Sequence, residues 1–132
     1  MYLNRLCEKS KFYFLELAYY LTLVDGKLSY EEKELLEYYK IECSLMDYSF
    51  ESKPLKEIEF YFINRNNLEK NIVLFELIGL SYIDGCYSDS EKKLIEQLRN
   101  SFNIKLEVLE VFEQKIEELT KIYNNLENIM VI

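Results

Sequence analysis

Four acidic residues recur at the same spacing in two parts of this 132-residue chain, and they are the side chains best suited to chemistry. Asp25 and Glu32 lie seven residues apart. Asp84 and Glu91 repeat that spacing further along the chain. Because Mg²⁺ and Ca²⁺ prefer carboxylate oxygens as ligands, four converging carboxylates would predict a shared divalent-cation site.

The same four residues also have a structural interpretation. Ser29 and Ser88 each precede the glutamate of their stretch by three positions, which is the spacing of a capping box at the start of a helix. The two aspartates can accept backbone amides within a turn. We therefore expect capping as the main role of these residues, with a magnesium or calcium site as the alternative.

An Asp-Gly pair followed by glutamate is also part of the calcium loop of an EF-hand, where these residues would take positions five, six and twelve. The first and third positions would then be Leu21 and Leu23 in one stretch. In the other stretch they would be Leu80 and Tyr82. None of these side chains is a suitable calcium ligand, so we do not expect an EF-hand.

Other kinds of chemistry lack the residues they need. The chain has no histidine, which removes Ser–His and Cys–His nucleophilic pairs and His-based zinc or di-iron sites. Cys7, Cys43 and Cys86 are widely spaced and form no Cys-x-x-Cys pair. We expect reduced thiols with a structural or incidental role, and a protein that is not an enzyme.

The acidic stretches belong to an internal repeat. Residues 21–35 match residues 80–94 at an offset of 59 without a gap. In each copy an apolar helix runs up to Asp-Gly, where Gly26 or Gly85 can adopt the left-handed conformation that closes a helix. Each copy therefore predicts a helix, a tight turn and a second helix, over about residues 12–41 and 68–101.

Three further patterns complete the predicted helices. Pro54 is tolerated in the first turn of a short helix that reaches about residue 62. Asn66 followed by Glu69 is another capping box, and apolar side chains three or four apart predict an amphipathic helix over about residues 105–128. With three glycines and one proline available for turns, the sequence predicts an all-α single domain over residues 1–132, a bundle of six or seven helices built from two repeated helix–turn–helix units.

Gly79 lies in the middle of the second repeat's first helix. That helix and the one over residues 12–24 are apolar on almost all sides, so both should lie at the centre of the bundle. A glycine there costs about 1 kcal/mol relative to alanine. We expect the close approach of a neighbouring helix to explain it, so that Gly79→Leu would destabilise the domain by overpacking.

Glu16 and Glu76 are each the only charged residue within an otherwise apolar helical stretch. Burying an unpaired carboxylate is costly. We expect each of them to reach solvent or to form an ion pair, with a tyrosine partner or a functional pocket as the alternatives.

The charge balance indicates the kind of partner. With 16 basic and 24 acidic residues the net charge is −8, which opposes binding to nucleic acids and to anionic membranes and predicts a protein partner with a basic surface. The apolar stretches over residues 12–24 and 72–83 are shorter than the roughly 20 residues of a membrane span. No signal peptide is visible, so we expect a cytoplasmic protein. The oligomeric state and the packing of the apolar tail, residues 129–132, are left open.

Two copies of an apolar helix ending in Asp-Gly, each followed by a Ser-x-x-Glu helix start and then by an amphipathic helix, resemble the TerB-like group. That group includes tellurite-resistance TerB and the N-terminal region of DjlA-type co-chaperones, and the resemblance covers about residues 12–126. It implies a bacterial cytoplasmic helical domain, linked to stress or phage-related systems, that acts as an interaction module. It also implies a divalent-cation role for the acidic motif positions. The histidines often found in such domains are missing here, so any metal ligands would be oxygens.

Three functions follow from these expectations. The first is a small acidic module that binds another protein and has no catalysis of its own. The second is a cation-responsive module in which the four carboxylates hold magnesium or calcium. The third is an immunity- or inhibitor-type protein that masks a basic partner by charge complementarity.

Overall fold

The structure is a computed structural model that describes residues 1–26, 28–85 and 87–132. These residues form six α-helices and no strand, so the predicted all-α class is confirmed. A short 3₁₀ turn, Leu3–Arg5, precedes them. The helices are α1 Glu8–Leu23, α2 Tyr30–Glu42, α3 Leu55–Ile63, α4 Asn67–Tyr82, α5 Asp89–Ser101 and α6 Leu106–Met130. None of these helices is long and apolar enough to cross a membrane. Cys86 lies outside the described residues, and the expectation for it stays untested.

Local geometry recurs at the offset of 59 residues. Helices α1 and α4 have 16 residues each, and α2 and α5 have 13 each. Gly26 and Gly85 follow the first helix of each pair with φ angles of 78° and 77°, in the left-handed region that an L side chain rarely adopts. Beyond the second helix of each pair, Ser44 and Asn103 also have positive φ, at 59° and 57°. The two hairpins thus share their bounds and their turns.

The core lies around α1 and α4, as predicted. Helix α1 packs against α2, α3 and α4, and α4 packs against α1, α5 and α6. Each hairpin is therefore covered by the helix that follows it, α3 on α1 and α6 on α4. Among the large side chains that this arrangement buries completely are Phe14, Leu17, Phe62, Leu74, Leu77 and Ile78.

The explanation expected for Gly79 is wrong. A Cβ atom added at this position would meet no atom within 4 Å beyond its own helix and chain neighbours. Gly79 faces a groove of about 220 Å³ between α2, α4 and α6, lined among others by Tyr38 and Leu119. No helix approaches closely here, so Gly79→Leu is no longer expected to overpack two central helices.

Solvent exposure, one of the two outcomes expected for Glu16 and Glu76, is not observed, because the side chains are buried, at 1% and 5% exposure. The Glu16 carboxylate accepts hydrogen bonds from the hydroxyl of Tyr48 (2.5 Å) and from the amides of Glu51 (2.8 Å) and Lys53 (2.9 Å). Glu16 thus has the tyrosine partner that was the alternative. Its carboxylate fixes the connection between α2 and α3.

Glu76 ties the start of the chain to α4 in the same way. Its carboxylate accepts the amide of Tyr2 at 3.0 Å and forms an ion pair with the amino group of Met1 at 3.1 Å. Glu42 on α2 accepts the amide of Leu3 at 3.0 Å. Both glutamates therefore hold the N-terminal segment against the bundle. Glu76 thus forms the ion pair that was expected for it, with the amino group of Met1.

The capping box predicted at Asn66 and Glu69 is only half formed. The Glu69 amide donates to the Asn66 side chain at 2.9 Å. The Glu69 carboxylate does not return to the cap, because it is buried beside α1 and accepts the Cys7 amide at 2.7 Å, the Ser10 hydroxyl at 2.8 Å and the Arg65 guanidinium at 2.5 Å. Cys7 and Ser10, which are distant in sequence, thus bind the Glu69 carboxylate in place of the local Asn66 amide.

Candidate functional site

The structure places the predicted glutamates at the helix starts, as the capping interpretation requires. Glu32 and Glu91 are each 2% exposed. Glu32 accepts the amide of Ser29 at 3.0 Å, and Glu91 accepts the amide of Ser88 at 2.9 Å. Both serine hydroxyls accept the glutamate amide in return, so both capping boxes are complete.

The two turns are close enough for their charges to interact. Burial raises the pKa of Glu32, and the negative charges of Asp84 and Asp25 raise it further. The pKa of Glu91 is also raised, first by burial and then by Glu32 and Asp25. The acidic residues of the two repeats therefore meet at one end of the bundle.

This acidic end is not a compact metal centre in the part of the chain that the structure describes. No group of three or more Asp, Glu or Cys side chains there is arranged to hold an ion. The carboxylates of Glu32 and Glu91 are already used by their caps. Metal binding at the acidic end thus stays a prediction that depends on a rearrangement of its side chains.

An exposed apolar surface lies elsewhere, on the second half of α6. Every residue from Glu117 to Ile132 is exposed, because the last turns of the helix project beyond the bundle. Six large apolar side chains, between 41% and 78% exposed, are three or four residues apart and cover about a third of the helix circumference. We call this set the α6 seam: Leu119, Ile122, Tyr123, Leu126, Ile129 and Met130.

The sequence predicted the apolar face that forms this seam, but it did not predict that the face would be exposed. The three-and-four spacing predicted an amphipathic helix over residues 105–128, and amphipathic helices usually bury their apolar face within the same domain. Up to Ile122 the helix still borders α4, but Tyr123 and the residues after it are all exposed, so the last turns of the helix have little to pack against within the described bundle. The apolar tail, residues 129–132, is exposed and does not dock on its own core.

A groove continues the seam at the base of the helix. It has a volume of about 570 Å³ and lies between α4, α6 and the N-terminal residues. Leu119 and Ile122 belong both to the seam and to the wall of this α4–α6 groove. The opposite wall is formed by Leu68, Ile72 and Phe75 on α4.

Cys7 forms a second polar cluster at the start of α1. Its thiol lies 3.2 Å from the Ser10 hydroxyl and 3.7 Å from the Tyr61 hydroxyl. Burial acts to raise the pKa of the Cys7 thiol, but hydrogen bonds from Ser10 and Tyr61 outweigh it, so the net pKa is lowered. The nearby Glu69 carboxylate already accepts three hydrogen bonds, so it is poorly placed to act as a base for the thiol.

Comparison of the chain with protein-family profiles, with curated proteins and with solved structures found no match. The TerB-like resemblance therefore rests on the repeated motif alone.

Proposed function

We propose that this protein is a non-catalytic interaction module that docks other helices through the α6 seam. The observation that carries the proposal is the exposure of six large apolar side chains on one face of a projecting helix. Continuous apolar patches of this kind mark interaction sites, because leaving them in water is unfavourable.

The composition of the projecting turns supports a docked state. Residues 117–130 include three asparagines, a threonine, a tyrosine and two isoleucines, all of which are mediocre helix formers. Helical segments of this length are marginal in water unless an apolar face is packed. A partner that covers the seam would supply the packing that the bundle does not.

The charges near the seam do not select a strongly basic partner. The α4–α6 groove is bordered by Arg5, Lys115 and Glu118, a mixed set. Apolar contact would dominate binding there, and the basic partner predicted from the net charge would suit the acidic end of the bundle instead. With the TerB-like resemblance we further propose a duplicated domain that acts in a stress-response or tellurite-resistance-type system of the bacterial cytoplasm.

The proposal is tested by capture experiments with a seam variant. The double substitution I122E/L126E places two charges in the seam, and N124E/N128E places the same charges on the opposite face of the same helix. We expect the immobilised wild-type protein and N124E/N128E to retain the same proteins from a source-cell lysate, as identified by mass spectrometry. I122E/L126E should lose them.

Equal capture by both variants would show that the seam is not the docking surface. Far-UV circular dichroism of the three proteins provides the control for folding, since all four substituted positions are exposed.

A second function, a cation-responsive module, is favoured by the mutual repulsion at the acidic end. Burial is the main cause of the raised pKa values of Glu32 and Glu91, and the neighbouring acidic charges add to it, so a bound cation would relieve unfavourable charge there. Thermal melts with millimolar Mg²⁺ or Ca²⁺ test it, because an ion that binds only the folded state must raise Tm. An unchanged Tm, or an equal rise in E32Q/E91Q, would remove this alternative.

A further inference from the structure

We propose that a second copy of this chain covers the α6 seam, with the two α6 helices antiparallel across a twofold axis. This inference rests on the proposed function, since it names the occupant of the same docking surface.

The two halves of α6 present surfaces that fit each other. Up to Ile122 the helix forms one wall of the α4–α6 groove, whereas the turns after Ile122, which we call the bare half, carry the rest of the seam and are exposed in the described structure. A twofold axis close to residue 121 would place the bare half of each copy in the groove of the other. Each chain then contributes the same surface to the contact. Such an isologous interface is complete with two copies.

The charge of the bare half suits this groove. Beyond Leu119, α6 carries one lysine and one glutamate, Lys121 and Glu127, so this segment is close to neutral. The groove borders are mixed in sign, with Arg5 and Lys115 against Glu118. A near-neutral apolar helix therefore meets no strong local repulsion, although the net charge of −8 on each chain opposes association at long range.

The exposed apolar surface extends over both the seam and the groove, as a dimer interface requires. Standard interfaces bury about 800 Å² per partner. The six seam side chains are 41% to 78% exposed, and the groove residues add to them. A membrane surface is the less suitable occupant, because α6 carries six glutamates and two lysines between Leu106 and Met130 and would be repelled by anionic lipid.

Sedimentation of the purified chain tests the proposal directly. We expect the wild type to reach twice the 16.0 kDa of the single chain at micromolar concentration, and added salt to strengthen the dimer because it screens the net charge. I122E/L126E should weaken it by about 100-fold or more, as hot-spot substitutions do. N124E/N128E should remain dimeric.

Cross-linking tests the orientation. In a chain with Cys7 and Cys86 replaced by serine, V111C mixed with I129C should join through a short bis-maleimide, because the antiparallel arrangement brings these positions together. Joining of I129C to itself in preference would indicate parallel helices and overturn the proposal.

A monomer at every concentration, or a monomer that binds phosphatidylcholine vesicles through the seam, would also overturn it. Such a result leaves the proposed function to be judged separately, by whether lysate proteins are lost from I122E/L126E and kept by N124E/N128E. The failure of the second-copy proposal and the failure of the docking surface are thus distinguishable.

Discussion

Glu16 fixes an irregular segment by accepting hydrogen bonds rather than by pairing with a cation. Its carboxylate binds the Tyr48 hydroxyl and two amides in the connection between α2 and α3. Burial acts to raise the pKa of Glu16, but these hydrogen bonds outweigh it and the net pKa is lowered. The charged form is therefore the one that stabilises the fold.

We expect Glu16→Gln to destabilise the protein by about 2–4 kcal/mol at neutral pH, because the amide nitrogen would face donors in a buried site. Since the folded pKa is lowered, the contribution of Glu16 is present above its unfolded pKa and is lost as pH falls through the folded value. Urea denaturation at neutral and acid pH should show the difference between variant and wild type shrinking in acid. Glu57→Gln on the exposed side of α3 is the control, and a variant as stable as this control would contradict the role of Glu16.

Gly79 and Gly26 differ in the effect that an added side chain would have on the free energy of unfolding. An added Cβ meets nothing at Gly79, which is helical, whereas Gly26 has a φ of 78°. Gly79→Ala should raise the free energy of unfolding by about 0.5–1 kcal/mol, the helix-propensity difference. Gly26→Ala should lower it by about 1–2 kcal/mol through left-handed strain. A loss of stability in Gly79→Ala, measured by chemical denaturation, would show that the groove is closed in solution.

The two described cysteines differ in reactivity. Cys7 is exposed and its thiol pKa is lowered, whereas Cys43 is buried and burial raises its thiol pKa to about 12. In a Cys86→Ser background we expect a thiol reagent such as Ellman's to modify one cysteine rapidly in the native protein and the other only after unfolding. Adding Cys7→Ser should abolish the rapid phase. Equal rates for the two thiols would contradict the structure.

At the scale of elements, the acidic end of the bundle holds negatively charged side chains that repel one another. Glu32 and Glu91 have raised pKa values, so the folded state holds their protons more tightly than the unfolded state does. The stability that these protons provide is present below the unfolded pKa and is lost as pH rises through the folded pKa. Both carboxylates nevertheless remain as acceptors of their capping boxes.

E32Q/E91Q keeps an acceptor oxygen for each cap and removes the repulsion. We expect it to be more stable than the wild type at neutral pH by roughly 0.5–1 kcal/mol, the scale of a partly screened charge interaction. The gain should vanish in acid, where the wild-type carboxyls are protonated. Thermal melts across pH measure this, with Glu31→Gln as the exposed control. A double variant less stable than the wild type at neutral pH would mean that capping by the charged form outweighs repulsion.

The hairpins were predictable because their signals are local. A capping box such as Ser29 with Glu32, or a left-handed Gly26, depends on residues within one turn of each other. The partners of Glu16, and those of Glu69 other than Arg65, were not predictable, since they lie at least 32 residues away along the chain. The incomplete cap at Asn66 shows the limit, because a matching local pattern was overruled by a contact across the bundle.

At the scale of the whole molecule, the bundle covers only half of its last helix. Helix α3 ends at Ile63 after 9 residues and remains on α1, whereas α6 has 25 residues and extends beyond α4. The sequence predicted the amphipathic face of α6 but could not show where its support ends. The difference in length between these two covering helices leaves the seam without a partner among the described residues.

The proposed dimer involves individual residues, a pair of helices and the whole molecule. Residues of the seam would provide the apolar contact, α6 would provide the antiparallel pair, and the two bundles would close into one particle. The acidic ends of both copies would remain available to a second, basic partner, as the net charge of −8 predicts.

Amide hydrogen exchange along α6 at a series of protein concentrations tests the central claim most directly, because the projecting turns have no packing of their own. We predict that protection of amides 120–130 increases with concentration in the wild type and in N124E/N128E, while I122E/L126E stays unprotected at every concentration. Protection that is independent of concentration and equal in the three proteins would contradict the account.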